Sequence, residues 1–407
     1  METASDVVVV GGGPCGSFAA YNLAKLGAEV TVFEEHPEIG VPSHCAGHLS
    51  INGLKHLGQY PLPNSIVEST FRGAAFHSPV GNEFSVRFPS PVTCTVNRVL
   101  FDKHIACIAE EVGVRYHLNS RVESLIMEKG SIRGVTVARD GKADVFHAKV
   151  VVDSEGISSR LLRQTGLRIL DRRMLVNAVQ AEVENVRETE ADVVEVFLGK
   201  DYAPGFYAWL IPKGDGRAKV GLATRFGNPK EFLQRLMVKH PVASKKLNKA
   251  RILREAFHPI TLGGPISRVY ASGFLAVGDV ASQVKPTTGG GVVFGMTAAK
   301  LAAEVAWKAL EENGFSAGYL SEYQRQCKES FGFDVRVMLR MRKALDAMSD
   351  KKLDEMIGLC TRLRLDKTLQ SVKDIDFQGQ SLLRVLRSPR MLGALGYLFY
   401  VYLSANL

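Results

Sequence analysis

The sequence predicts an α/β protein: a discontinuous Rossmann-like domain, a β-rich domain inserted into it, and a helical C-terminal region. Three observations carry this. A β-branched run at 6–10 leads straight into a glycine turn and an apolar helix pattern. A second strand-then-glycine pattern recurs near 273–291, far along the chain. Between these lies a strand-like, polar-alternating stretch at 174–223, and beyond 317 almost everything reads as helix.

The first element is the most informative. Asp6-Val7-Val8-Val9-Val10 is followed by Gly11-Gly12-Gly13-Pro14-Cys15-Gly16, then by small or apolar residues at Ala19, Ala20, Leu23, Ala24 and Leu26. Gly27 suits a helix C-terminus. A strand at 29–33 ends on Glu34, 23 residues after Gly11. Strand, glycine turn, helix, strand and acid together make the context that a dinucleotide fingerprint requires. Gly11 permits the tight bend, Gly13 lets the backbone approach a pyrophosphate, and Gly16 lets helix and strand pack closely. The helix start, including Cys15, offers free N–H groups to phosphate. Glu34 is placed to accept from ribose hydroxyls.

The second glycine pattern separates FAD from NAD. Phe274-Leu275-Ala276-Val277-Gly278-Asp279 is followed by Pro286-Thr287-Thr288-Gly289-Gly290-Gly291. An Asp at the end of a buried strand can hold a ribityl hydroxyl, and Gly289 to Gly291 let backbone come close to an isoalloxazine ring. A helix starting at Val292 then aims its N-terminus at the ring edge where negative charge gathers on reduction. The blander reading of Asp279 is a cap on a helix after a strand. No second fingerprint occurs, so a stable NAD(P)H domain is not expected.

Composition narrows the class. With 407 residues, two lobes or one large insertion are expected. Hydrophobic residues make up 46% and charged residues 23%, ordinary for a globular protein, and no apolar run reaches the roughly 18–20 residues of a spanning helix. The first strand starts almost at residue 1, leaving no space for a signal peptide, so a cytoplasmic location is expected. Cys15, Cys45, Cys94, Cys107, Cys327 and Cys360 show no zinc or disulfide spacing, so no metal is expected. The net charge of +9 fits an anionic partner, but no nucleic-acid module is visible and none is expected to bind.

Together with Arg98 and Asp102 in Asn97-Arg98-Val99-Leu100-Phe101-Asp102, the two glycine motifs resemble the flavoprotein superfamily typified by para-hydroxybenzoate hydroxylase. That superfamily's Asp-Gly motif reads Glu155-Gly156 here, which leaves its pyridine-nucleotide role or a structural role open. Three segments are similar to archaeal geranylgeranyl reductases (digeranylgeranylglycerophospholipid reductases). One is Ile39-Gly40-Val41-Pro42-Ser43-His44-Cys45-Ala46-Gly47, with His44 where many members carry Arg. Another is Tyr207-Ala208-Trp209-Leu210-Ile211-Pro212, with Ile211 in place of Phe. The third is the flavin loop from Gln283 to Gly291. The resemblance runs from residue 6 to about 350. It implies that FAD is the cofactor and that C=C bonds of geranylgeranyl chains in archaeal-type ether lipid precursors are saturated. Reduced flavin N5 gives the hydride and a nearby acid the proton.

By the same resemblance, His44, Cys45, Ala46 and Gly47 face the flavin, Val122 touches the adenine through its backbone, and Cys45 is the candidate acid. A buried structural cysteine is the alternative. Tyr207, Trp209 and Pro212 offer flat apolar walls for a hydrocarbon chain, or form a plain aromatic core. His104 and Cys107 read as packing or surface residues. The donor that reduces the flavin is left open among NAD(P)H, ferredoxin and another carrier protein.

Domain limits follow from these placements: 1–62, 94–170 and 255–315 for FAD binding, 63–93 and 171–254 for substrate, and 316–407 helical. The tail from Phe331 on carries 13 Lys/Arg against 8 Asp/Glu. Arg384, Arg387 and Arg390 precede an apolar stretch at 391–403 containing Tyr397, Phe399, Tyr400 and Tyr402. Such an end suits peripheral contact with an anionic membrane at its inner face, or docking on the protein's own core. Three rival readings remain. A monooxygenase or halogenase shares the Trp-x-Ile-Pro pattern, but no Lys occurs between Lys55 and Lys103, where halogenases carry theirs. A reductase of another prenyl chain, such as that of menaquinone, is the second. A prenyl-lipid escort protein like the Rab escort proteins is the third; retained Gly278-Asp279 argues against it.

Overall fold

Val7, Val8 and Val9 have no solvent exposure in the computed structural model, and they build the centre of the first of two compact units. The structure describes residues 4–139, 141–372, 374–385 and 388–404. The first unit comprises Met1–Ser43, Arg98–Arg173 and Thr261–Phe333; the second comprises His44–Asn97, Met174–Ile260 and Asp334–Leu407. Residues 44–62, expected with the nucleotide domain, thus cluster with the β-rich unit, and so does most of the tail. The 31-residue helix Ala317–Ala347 begins in the first unit and ends in the second.

In the first unit, strands Phe274–Ala276, Lys142–Asp153, Ala4–Val10, Val30–Phe33 and Arg115–His117 lie side by side and parallel. Val7 pairs with Val150 on one side and Val30 on the other. Strands covered on both faces need β-branched side chains in every position, which explains the unbroken valine runs. The front half of Lys142–Asp153 pairs antiparallel with Ser131–Arg139, which in turn pairs with Arg121–Glu128. Helices Pro14–Leu26, Arg98–Glu111 and Val292–Glu311 complete the unit. Their apolar periodicity is readable in the sequence.

The second unit is built on a seven-stranded sheet: Arg251–Thr261, Leu175–Glu184, Arg217–Thr224, Ala208–Gly214, Val193–Phe197, Gly73–His77 and Glu83–Arg87, in that order. The strand Arg251–Thr261 was not expected; the limit set at 254/255 cut it in two. One face of the sheet packs Val179, Leu210, Val220 and Leu222 under Leu233, Leu236 and Leu247. The opposite face carries Trp209 and Ile211, packed with Phe71 and Ala46. Phe71 belongs to a three-stranded sheet of His48–Ser50, Thr93–Val96 and Val67–Phe71.

The stretch 229–247, whose sequence pattern reads as one helix, is two helices, Pro229–Lys239 and Ala243–Leu247, because Pro241 cannot continue the first. His240 holds the break. Its Nδ1 accepts from Val242 and Ala243 N–H at 3.2 Å each, and its Nε2 donates to the Ser78 carbonyl at 3.2 Å. Burial pushes its pKa down to about 4, so the folded protein keeps it neutral while the unfolded chain takes up a proton below 6.5. Sign follows directly: stability is full above 6.5 and falls as pH drops towards 4. Thermal denaturation between pH 7 and 4 should show a falling Tm, with a shallower fall in His240→Gln.

The C-terminal helix Pro389–Ser404 docks on its own unit. Met391 and Ala394 are buried with Phe84, Val86, Ile357 and Leu365, and Tyr397 donates to the Lys352 carbonyl at 3.2 Å. Its other face leaves Leu392 and Tyr400 exposed. Arg387 lies outside the described residues. No described helix is long and apolar enough to cross a membrane.

Candidate cofactor and active site

The turn between the first strand and helix is shaped by glycine. Gly11 adopts φ +94°, and a Cβ there would sit 2.5 Å from the Ser154 carbonyl oxygen. A Cβ on Gly16 would overlap the Gly11 carbonyl oxygen, so the close helix–strand approach requires glycine. Gly13 differs: a Cβ there meets nothing within 4 Å. It is the N-cap of Pro14–Leu26, with no side chain capping it and no acid in the first turn. A helix start with spare N–H groups facing open space is a phosphate cradle.

Glu34 organises the same turn. Its Oε2 accepts from Gly12 N–H at 2.7 Å, and its Oε1 accepts from His36 N–H at 2.9 Å. Cys15 turns its thiol the other way, against Gly278 and Gly295, and burial pushes its pKa up. Only its backbone is left to meet a phosphate.

The second glycine motif lies in the same unit. Asp279 sits in the 3₁₀ turn Gly278–Ala281, and its Oδ1 would be 2.9 Å from a Cβ on Gly291. Burial raises its pKa, opposed by the positive charge of Arg98. Arg98 opens the helix Arg98–Glu111 and donates twice to Asp102, at 2.9 Å each. Gly289 adopts φ +71°, Pro286 is buried, and Val292 starts a helix whose N-cap, Gly291, has no side-chain cap. Two residues to which sequence reasoning gave no role hold this turn, Gln283 at the start of the flavin loop and Tyr323. Gln283 accepts from Gly278 N–H at 2.7 Å and donates to Tyr323 Oη at 2.8 Å; Tyr323 donates to the Ala276 carbonyl at 3.0 Å. Tyr323 comes from a helix that no motif marks.

Two other predicted positions prove to be structurally occupied. Glu155 Oε1 accepts from Leu161 and Leu162 N–H at 2.7 and 3.2 Å, capping the helix Arg160–Gln164. That supports the structural reading of Glu155-Gly156. Val122 is buried on Arg121–Glu128, paired in register with Val137, and its carbonyl accepts from Arg160 at 2.6 Å.

In the second unit, Cys45 is an exposed free thiol whose Sγ accepts from Gly47 N–H at 3.4 Å. His44 stacks on His258, ring centroids 5.1 Å apart. Tyr207 and Trp209 meet edge to face at 6.0 Å, and Phe206 stacks on Tyr207 at 4.3 Å. Burial pushes the Tyr207 phenol up, so it stays neutral. The indole lies over Gly221 of the paired strand, where a Cβ would come within 2.5 Å of the ring. Its Nε1 is buried without a partner among the described residues. Pro212 is buried two strand positions further on from Leu210.

A parallel-stranded nucleotide fold, an open glycine cradle at one helix start and a buried Asp beside a second uncapped helix define a flavoprotein, and these residues fit FAD. Comparison agrees: the family model described as FAD dependent oxidoreductase matches residues 6–168, and that described as geranylgeranyl reductase catalytic domain matches 175–256. Digeranylgeranylglycerophospholipid reductase 2 of Methanothermobacter thermautotrophicus is 34% identical, over 95% of this chain and 97% of that protein. The reductase of Methanocaldococcus jannaschii is 33% identical over 86% and 89%. This chain belongs to the digeranylgeranylglycerophospholipid reductase family, and its cofactor is FAD.

Among solved structures, a geranylgeranyl bacteriochlorophyll reductase-like protein from Thermoplasma acidophilum superposes with a TM-score of 0.87 at 26% identity, covering 98% of this chain and all of that one. A flavin-dependent brominase matches with a TM-score of 0.73 at 19% identity, over 93% and 95%, a likeness of fold.

Proposed function

We propose that the protein saturates C=C bonds of the geranylgeranyl chains in archaeal-type isoprenoid ether lipid precursors. Membership of the reductase family carries this reading. FAD, once reduced, supplies the hydride. Gly11, Gly13, Cys15 and Gly16 bind its pyrophosphate by backbone, Glu34 its ribose, and Arg98, Asp279, Pro286, Gly289, Gly291 and Val292 its flavin half. His44, Cys45, Ala46 and Gly47 form the loop at the reacting centre, and Val122 meets the adenine.

An isolated alkene is a poor hydride acceptor, so a proton must arrive first or together with the hydride. That demands an acid close by and water kept out, and since the Cys45 thiol is exposed on the protein itself, the bound chain has to cover it. Cys45 is the donor in this reading, its Sγ oriented by Gly47 N–H. Tyr207 and Trp209 bind the chain: a hydrocarbon gains most where flat apolar rings are already fixed in place, whereas Pro212, paired with Ala218, lies on the opposite face with the Leu210 core. Trp209→Ala should raise KM for the prenyl substrate about 5- to 30-fold, the equivalent of roughly 1–2 kcal/mol of lost ring contact, with the flavin spectrum unchanged. Gly221→Val should unseat the indole and also lower Tm, since its Cβ would come within 2.6 Å of the Val179 carbonyl oxygen.

The testing experiment uses purified protein reduced by dithionite without oxygen. Added digeranylgeranylglyceryl phosphate or geranylgeranyl diphosphate should gain two hydrogens per bond in mass spectra. No gain with either substrate would defeat the reading. Substrate-coupled oxygen uptake would point to a monooxygenase instead. The protein works in the cytoplasm at the inner membrane face. Exposed Leu392 and Tyr400 beside Arg384 and Arg390 support peripheral contact with anionic lipid, and a carrier protein or NAD(P)H reduces the flavin.

A further inference from the structure

Lys219 is a charged side chain in the buried middle of a strand, only 4% exposed. Its neighbours Ala218, Val220 and Leu222 point into the apolar core. Lys219 points to the other face, paired in register with Ile211, one pair along from Trp209 and Gly221 on that face. There its Nζ donates to the Ala46 carbonyl at 2.9 Å and to the Val96 carbonyl at 3.5 Å, and pairs with Glu68 Oε2 at 2.5 Å. The other Glu68 oxygen lies 3.0 Å from Lys213 Nζ. Burial pushes the Glu68 carboxyl up, but Lys219 and then Lys213 outweigh it and hold it below its usual range. Glu68 is therefore a carboxylate.

A buried ion pair seldom adds net stability over apolar residues of the same volume, because desolvating both charges costs about what their attraction returns. What this pair provides is direction. Ala46 is the neighbour of Cys45. The Gly47 carbonyl accepts from Val96 N–H at 2.9 Å, Gly47 adopts φ +71°, and its N–H donates to Cys45 Sγ. The ammonium thus grips the middle of the tripeptide Cys45-Ala46-Gly47 while the strand Thr93–Val96 grips its end. The Ala46 methyl packs against the cluster of Phe71, Val194 and Ile211, against which Trp209 also packs. One lysine links the aromatic strand face to the thiol loop.

We propose that Lys219, held in place by its contact with Glu68, is a positioning residue that holds the Cys45 loop in the orientation needed for proton delivery. This rests on Cys45 as the proton donor. Lys219 itself exchanges no proton with substrate.

The test compares wild type, Cys45→Ala and the double variant Lys219→Met with Glu68→Leu, which strands no buried charge. Expected for the double variant are full FAD content, KM within twofold, and kcat for saturation lower by about ten- to a hundredfold, the cost of misplacing a reacting group by an ångström. Iodoacetamide alkylation at Cys45, read by peptide mass spectrometry across pH, should shift at least threefold in rate. A residue that only packs would leave that rate unmoved. Wild-type kcat and alkylation in the double variant would overturn the proposal. If that variant does not fold, Lys219→Gln with Glu68→Gln takes its place, and the same kcat and alkylation rates uphold or overturn the proposal. Cys45→Ala separates the failures: undiminished saturation there removes Cys45 from the chemistry, whereas loss there with a wild-type double variant removes Lys219 alone.

Discussion

Cys45→Ala protein should bind FAD like wild type and lose saturation of geranylgeranyl chains by about 10²- to 10⁴-fold, the usual contribution of a positioned general acid. The expected size follows from the substrate. An unconjugated C=C bond has no carbonyl to draw off charge, so hydride addition without a proton would build a carbanion. The protein must deliver that proton from a group close to the alkene carbon. Cys45 is exposed and free, and among the described residues its thiol is engaged only by Gly47 N–H, so its removal costs the fold little. Flavin absorbance, Tm and single-turnover product yield after anaerobic reduction should therefore part company: the first two unchanged, the third collapsed. A Cys45→Ala protein with wild-type turnover would move the acid elsewhere. Cys45→Ser should fall between, since a hydroxyl donates a proton less readily than a thiol.

Gly13→Val and Gly16→Val should both yield protein without FAD, for different reasons that a melting curve resolves. At Gly13 a Cβ meets no protein atom within 4 Å, and its φ of −68° suits any residue. The fold should survive with a Tm within a few degrees of the apoprotein, while the side chain fills the space meant for phosphate. Loss of flavin affinity should exceed a hundredfold, since both close backbone approach and helix-start N–H groups are blocked. At Gly16 the new Cβ would run into the Gly11 carbonyl, so strand and helix cannot keep their spacing. That variant should express poorly or melt far lower. Full flavin content in Gly13→Val would show that the pyrophosphate does not lie before this helix.

Much of the cofactor half is legible because its signals are local. Gly11, Gly16 and Gly27 hold backbone shapes or spacings that only glycine permits, and Val7 to Val9 and Val150 to Val152 are strands covered on both faces. Such constraints act within a few residues and leave marks at fixed spacing. Pro241, which separates the helices Pro229–Lys239 and Ala243–Leu247, is an equally local signal.

Other parts of the site have no local mark. Tyr323 and Gln283 lie 40 positions apart and lock the Gly278 turn together. Lys219, Glu68 and Ala46 come from three separate strands and loops, and each looks ordinary in the chain. The strand Arg251–Thr261 has intermediate and exposed residues over most of its length, so alternation never announces it. Residues 44–62 follow a glycine loop that reads as part of the nucleotide domain, yet they cluster with the β-rich unit, to which the pairing of His48–Ser50 with Thr93–Val96 binds them.

By itself, then, the sequence determined what depends on neighbours along the chain: the fingerprint turn, the flavin motif, the valine strands and the family they resemble. Only tertiary structure decided that Glu155 caps a helix, that Gly221 seats the Trp209 ring, and that a buried lysine grips the Cys45 loop. The physical reason is range. Steric limits on φ and ψ are written residue by residue, whereas a buried charge or an aromatic seat is settled by partners that only folding brings within about 3–4 Å.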